Sequence, residues 1–222
     1  MFNVIERWCA VACVALFCSF QVAAGFTRAE VYEVRELITP DRSPNYAGRH
    51  KPADGWQIKK QDNGVVAEAA AEAKTPDGPA RSTLSFQCTS GKGGASTIEF
   101  TVAGAVAMKG FDFDEFEGPD APAQRHALVT LTAHRPAGDL VIRTSCTGFY
   151  TVSDEGFAFE VTTMANVHGK VSKLSDALIH GATSISIRIR GLKHAEKTIE
   201  ATFPADGAPA ILGQIMAGCG RR

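Results

Sequence analysis

The sequence predicts an α+β domain: an antiparallel, sandwich-like β-sheet with one helix in mid-domain and a second at the C-terminus. Three observations carry this. From Arg81 onward, short runs alternate apolar and polar residues between clusters of turn formers, the pattern of half-buried strands. Two stretches, "KVSKLSDALIHG" and "GAPAILGQIMAGC", change to a helical period. The order of strands, helix, two strands and helix lacks the regular strand and helix alternation of a parallel sheet.

The first strands are "STLSFQC", with Leu84, Phe86 and Cys88 on one side, and "STIEFTVA", with Ile98, Phe100 and Val102 on one side. The glycine-rich "TSGKGGA" joins them as a hairpin. "HALVTLTAH", "DLVIRTSC", "GFYTVS" and "FAFEVTT" follow, divided by "RPAGD", "TG" and "DEG", and together read as an antiparallel meander. Val171, Leu174, Leu178 and Ile179 then recur at helical spacing up to Gly181, a usual helix terminator. "TSISIRIRG" returns to alternation, with Ile185, Ile187 and Ile189 inward and Ser184, Ser186, Arg188 and Arg190 outward; "KTIEATF" is its hairpin partner. Asp206 is placed to cap the last helix, whose stripe is Ile211, Leu212, Ile215 and Met216.

Residues 25–80 read differently. Pro40, Pro44 and Pro52 oppose helix, and "GVVAEAAAEAKTPDG" is rich in Ala and Glu without a continuous apolar face. The segment is expected to be a partly ordered leader and linker with one docking piece around Trp56, preceding a domain over residues 81–222. Residues 1–24 read as a signal peptide: Arg7 precedes an apolar core from Trp8 to Phe20, and Val22 and Ala24 are the small residues of a cleavage site. That core of about 13 residues is shorter than the roughly 20 a spanning helix needs, so no stable membrane span is expected after cleavage.

Of the six cysteines in the chain, Cys9, Cys13 and Cys18 fall in the signal segment, and Cys88, Cys146 and Cys219 follow it. Export places these three in an oxidising compartment, where one pair forms and one thiol is left over. Spacing leaves the pairing open. Cys88 with Cys219 is favoured because it clamps the last helix onto an early strand and closes a loop of about 130 residues, worth roughly 4–5 kcal/mol in the chain-entropy account. Cys146 is then a small buried hydrophobe.

The stretch "LSFQC" (Leu84–Cys88), together with "KLSDALIHGATSISIRIR" and "EATFPADGAPAILGQIMAGCG", resembles the VasI-like periplasmic accessory proteins of type VI secretion. The resemblance covers about half of the chain after the signal segment. A Trp-containing strand usual in mid-domain is missing, and Cys146 is foreign to the pattern. The resemblance implies an exported domain without catalytic residues or cofactor, a partner in an envelope or secretion apparatus, and the Cys88–Cys219 disulfide.

Composition points away from nucleic acid, since the net charge is −1 over 222 residues. "GFDFDEFEGPD" gathers Asp112, Asp114, Glu115, Glu117 and Asp120, carboxylates of the kind that ligate calcium through about six to eight oxygens. The run lacks the mid-loop glycine of an EF-hand and reads better as an acidic loop with Phe111, Phe113 and Phe116 turned inward. Its aromatic and acidic character also suits a basic partner, which makes Asp112, Asp114, Phe113 and Phe116 candidate contact residues. Arg188 and Arg190 stand at strand spacing on a polar face, where they grip carboxylate or phosphate. His126 and His134 lie about 26 Å apart on an extended strand, beyond the reach of one metal. "TSGKGGAS" is not a phosphate loop, because Lys92 is followed by Gly93 and a strand. The expectation is therefore a non-enzymatic periplasmic or secreted protein that acts by binding, with no cofactor and no metal. The alternatives are a Cys146-dependent enzyme and a calcium-dependent module.

Overall fold

The computed structural model describes residues 55–61, 64–88, 95–152, 155–164 and 169–217. The expected signal segment, the glycine-rich tip and Cys219 lie outside them.

Ten strands form one antiparallel sheet: β1 (Gln57–Gln61), β2 (Gly64–Thr75), β3 (Gly78–Cys88), β4 (Ala95–Val102), β5 (Val129–His134), β6 (Leu140–Thr144), β7 (Thr147–Tyr150), β8 (Phe157–Met164), β9 (Ser184–Arg190) and β10 (Thr198–Pro204). Among the described residues the α-helices are α1 (Lys170–Ile179) and α2 (Ala208–Met216). Strand order is β6-β5-β9-β10-β2-β3-β4-β8-β7, with β1 on the first half of β2 and β10 on its second half. The edge strands β6 and β7 follow each other in sequence, Thr144 and Thr147 being three residues apart. Three residues reach no more than about 10 Å, so the sheet must curl until its edges approach. The result is a curled half-barrel in place of the expected sandwich. It is also not a plain meander, because β8 pairs with β4 and β5 pairs with β9.

Alternation decides which side is filled. Leu84 and Phe86, Ile98, Phe100 and Val102, Leu131, Ile185, Ile187 and Ile189, and Phe203 are all buried. Each such side chain contributes about 1.5–3 kcal/mol on leaving water. Helix α1 packs on β4, β8, β5 and β6, and α2 packs on α1, β2 and β3, so both helices fill the concave side. Val171, Leu174 and Leu178 are the buried stripe of α1. That helix ends as its sequence predicts: Gly181 takes φ 109, and the Ala182 N–H donates to the Ala177 carbonyl at 2.9 Å, a Schellman closure.

Two expectations need correction. The domain begins well before residue 81. The Ala- and Glu-rich segment expected to be weakly ordered is the 12-residue strand β2, in the middle of the sheet. Val66, Ala67, Ala69 and Ala73 are buried, while Glu72 and Lys74 are exposed. Small alanines on the inner face leave room for α2 to approach, so packing overrides the weak strand propensity of Ala and Glu. Asp206, secondly, does not cap α2 with its side chain. The cap is Gly207 at φ 81, and the Asp206 carbonyl instead accepts the Trp56 N–H at 3.4 Å. The docking role expected around Trp56 does hold: its indole is buried against Phe86, with ring centroids 5.6 Å apart.

Candidate functional site

The convex face over β6, β5, β9, β10 and β2 carries the arginines singled out in the sequence. With Ile185, Ile187 and Ile189 buried beneath, Arg188 and Arg190 have to point outward. The register sets Arg143 opposite Thr130, Thr130 opposite Arg188, Arg188 opposite Glu200 and Glu200 opposite Lys74. Directly paired residues share a face and neighbouring strands lie about 4.8 Å apart, so this row is about 19 Å long. Arg190 joins the same face opposite Thr198. Four cations thus stand here with two carboxylates, Glu200 within the row and Glu72 two residues from Lys74 on the same face. Arg188 Nε meets Glu200 Oε1 at 3.0 Å with both side chains about half exposed, a pair worth only about 0–1 kcal/mol. Its weakness leaves the row available to an outside anion.

Next to the cations runs a row of hydroxyls, Thr132, Ser186 and Thr202, also in register. Here the structure assembles a hydrogen-bond relay. Asp139 Oδ2 lies 3.1 Å from His134 Nδ1, His134 Nε2 lies 2.9 Å from Ser186 Oγ, and Ser186 Oγ lies 2.8 Å from Thr202 Oγ1. The backbone of His134 is fixed as well, its carbonyl accepting from the Thr183 N–H at 2.8 Å. Sequence reasoning treated His134 only as a strand-end residue and Ser186 only as an outward serine. The partners are 5, 52 and 16 residues apart, and only the strand register brings them together.

The acidic-aromatic stretch sits elsewhere and is largely engaged within the protein. Phe113 and Phe116 belong to a 3-10 turn, Phe113–Phe116, and are 3% and 0% exposed. They pack on Phe157 and Phe159 at centroid distances of 5.0 and 5.2 Å, so they anchor the loop and are not open to a partner. Glu115 is buried between the loop and the turn joining β9 to β10: its Oε2 accepts the Leu192 N–H at 3.2 Å, and its Oε1 meets Lys193 Nζ at 2.8 Å. Lys193 also lies 3.7 Å from Asp112. Hydrogen bonding to Glu115 is the main reason that the Lys193 ammonium is held above the usual lysine range. Asp114 accepts from the Tyr150 hydroxyl at 2.8 Å. Burial, that bond and the surrounding carboxylates push the phenol up to about 12. A cleft of about 330 Å3 separates loop and turn, with Met108, Phe111, Lys109 and Lys197 in its lining. These carboxylates diverge to separate partners, and among the described residues no three His, Cys, Asp or Glu side chains gather to hold a metal ion.

The other half of the convex face is acidic. Glu68, Ser85, Glu99 and Glu160 stand in register across β2, β3, β4 and β8. Burial, with Glu160 and Glu68 nearby, raises the Glu99 carboxyl above its ordinary value, although a bond from Thr101 opposes this. Lys59 pairs with Glu68. Cys146 is 5% exposed and free, and burial pushes its thiol up to about 12, the reverse of an activated thiolate. Among the described residues no helix is long and apolar enough to cross a membrane. No protein-family model, curated protein or solved structure matches the chain at a significant level.

Proposed function

We propose that the chain is an exported, non-enzymatic protein of the bacterial envelope, an accessory of a secretion apparatus, that acts by binding an acidic partner protein. The observation that carries this reading is the row Arg143, Arg188 and Lys74 with Arg190 beside it, four cations whose spacing the strand register fixes, with Glu200 in the row and Glu72 beside it. A sheet fixes their spacing before the partner arrives, so little ordering entropy is lost on binding. The leader composition and the resemblance of the C-terminal half support the compartment. The burial of the Cys146 thiol and the dispersal of the acidic loop's carboxylates favour binding over a cysteine enzyme or a calcium module.

Export brings with it the Cys88–Cys219 disulfide. Cys146, buried and free, is the cysteine left over in this reading, and the Cys88–Cys219 pair is the one that the resemblance implies. Helix α2, which precedes Cys219, packs on β3, which ends at Cys88. Non-reducing peptide mapping of the natural product checks the bond, and the same spectra show whether residues 1–24 have been removed.

The binding reading is tested by affinity capture from envelope extract with the wild-type protein and with the Arg188→Glu, Arg190→Glu double variant. Capture of a defined acidic protein that weakens with salt and is lost in the variant is the expected result. Capture that is unchanged in the variant, with both proteins equally folded, removes the arginine face as the contact surface.

A further inference from the structure

The relay on the convex face has the order and distances of an activated hydroxyl, and we propose that Ser186 is a covalent modification site: a nucleophile that accepts an acyl group from activated esters bearing a negative charge. Each atom in the chain has a consistent role. His134 Nδ1 lies 3.1 Å from Asp139 Oδ2, an acceptor when ionised, and this favours the tautomer with the proton on Nδ1, in which Nε2 accepts from the Ser186 hydroxyl at 2.9 Å. Ser186 Oγ and Thr202 Oγ1 are 2.8 Å apart and either can donate; with Thr202 as the donor, the Ser186 proton is left for the imidazole. A serine whose proton is taken by a histidine, itself oriented by a carboxylate, is recognised by geometry and not by sequence position. In the step, a bond forms between Ser186 Oγ and the acyl carbon while the bond to the leaving oxygen breaks. The leaving alkoxide or phenolate takes the electron pair, and the hydroxyl proton passes to His134 Nε2 and from there to the leaving oxygen or to solvent.

The surroundings select the acyl donor and limit the outcome. Arg188 follows Ser186 by two residues on the same strand face, about 7 Å away. Its Nε meets Glu200 at 3.0 Å, its side chain is about half exposed, and a guanidinium has five N–H donors. An acyl group with a carboxylate near its ester therefore has a cation within reach. Strand β9 is paired on both sides, with β5 and with β10, so its backbone N–H groups serve the ladders and none is turned to the face as an oxyanion donor. Acylation and hydrolysis both pass through a tetrahedral oxyanion without donors, so only an ester with a good leaving group reacts, and the unactivated serine ester it leaves behind persists. Ser186 is thus an acceptor rather than a turnover centre, in keeping with a protein that works by binding.

The test reacts the purified protein with the mono-4-nitrophenyl ester of succinic acid, and in parallel with neutral 4-nitrophenyl acetate. Nitrophenolate release is followed with intact-mass and peptide mapping. The expected result is one acyl group per chain at Ser186, formed several-fold faster from the anionic ester. Arg188→Gln removes that preference. His134→Gln slows acylation about 100-fold, the usual worth of a positioned base. Asp139→Asn slows it and shifts its pH profile while the melting midpoint stays in place, which marks Asp139 as a positioning residue. Ser186→Ala, a truncation of one hydroxyl on an outward face, abolishes the label and keeps the fold even if a histidine variant does not fold. Acyl groups found only on lysines, or a Ser186 rate that is the same in His134→Gln, overturn the proposal. Partner capture and acylation are independent readouts, so loss of either one leaves the other reading standing.

Discussion

Trp56 donates its indole Nε1–H to the carbonyl of Pro204 at 2.8 Å, across 148 residues of sequence. The bond joins the residue preceding β1 to the last residue of β10, and the ring also covers Phe86 of β3. Trp56→Ala is expected to cost about 3–5 kcal/mol, the range for removing a large buried aromatic. Trp56→Phe, which keeps most of the ring and loses the N–H, is expected to cost about 1–3 kcal/mol, because the Pro204 carbonyl is left without its donor. Denaturant titration measures both. A fragment starting at Arg81 lacks β2, the strand between β3 and β10, and is expected to show no cooperative melt.

The same logic governs the brace between the acidic loop and the β9–β10 turn. Glu115 is 6% exposed, whereas Lys193 is 70% exposed, so the two halves of one ion pair are unequal. Glu115→Ala removes the acceptor of the Leu192 N–H and is expected to destabilise by about 1–3 kcal/mol. Lys193→Ala leaves Glu115 bonded to that N–H and is expected to have the smaller effect. The Lys193 contribution has a fixed sign with pH. Its folded value is raised, so the stabilisation is complete below the ordinary lysine value near 10.4 and is lost as pH rises through the higher folded value. A comparison of wild type and Lys193→Ala that diverges in acid instead of converging in strong alkali contradicts the assignment.

These two contacts show what the sequence does and does not disclose. Alternation around Ile185, Ile187 and Ile189 is a local signal, and it fixes both the strand and the outward direction of Arg188. The helical stripe of α1 and its Gly181 ending are equally local. Strand β2 is not, because Ala and Glu prefer helix and only the approach of α2 explains small residues on its inner face. The relay is least legible. Asp139, His134, Ser186 and Thr202 belong to a turn and three strands whose mutual register depends on the whole sheet. Glu115 fell within a run read as surface acid, and its burial follows from Phe113 and Phe116 on either side of it.

Two glycines give opposite predictions under the same substitution. A Cβ on Gly148 in β7 meets the Phe157 ring at 2.2 Å and the Ala158 carbonyl at 2.9 Å, with backbone on one side and a buried ring on the other. Gly148→Ala is expected to cost about 1–3 kcal/mol through forced repacking. Gly213 lies inside α2 with nothing within 4 Å of the added atom. Gly213→Ala is expected to stabilise by about 0.5–1 kcal/mol, because it restricts the unfolded chain and favours helix. Thermal melts of the two variants should move in opposite directions; a shared direction contradicts the local geometry of one of them.

Cys146 supplies a pH dependence of its own. Burial alone pushes its thiol up to about 12, while an unfolded thiol ionises near 8.5. Between those values the unfolded state has released a proton that the native state keeps. The unfolded chain then binds fewer protons, so stability falls as pH rises, at a limiting slope of about 1.4 kcal/mol per pH unit. The Tyr150 phenol, also raised to about 12, acts in the same direction but only above the ordinary tyrosine value near 10. Stability measured by denaturant between about pH 8.5 and 10 therefore isolates the thiol: wild type should lose stability across that window and Cys146→Ala should lose less. Alkylation at neutral pH gives the companion observation. Cys146 should react only after denaturant is added, because neither the thiolate nor a path to it exists in the fold, and rapid labelling of the native protein contradicts both the buried thiol and its raised pKa.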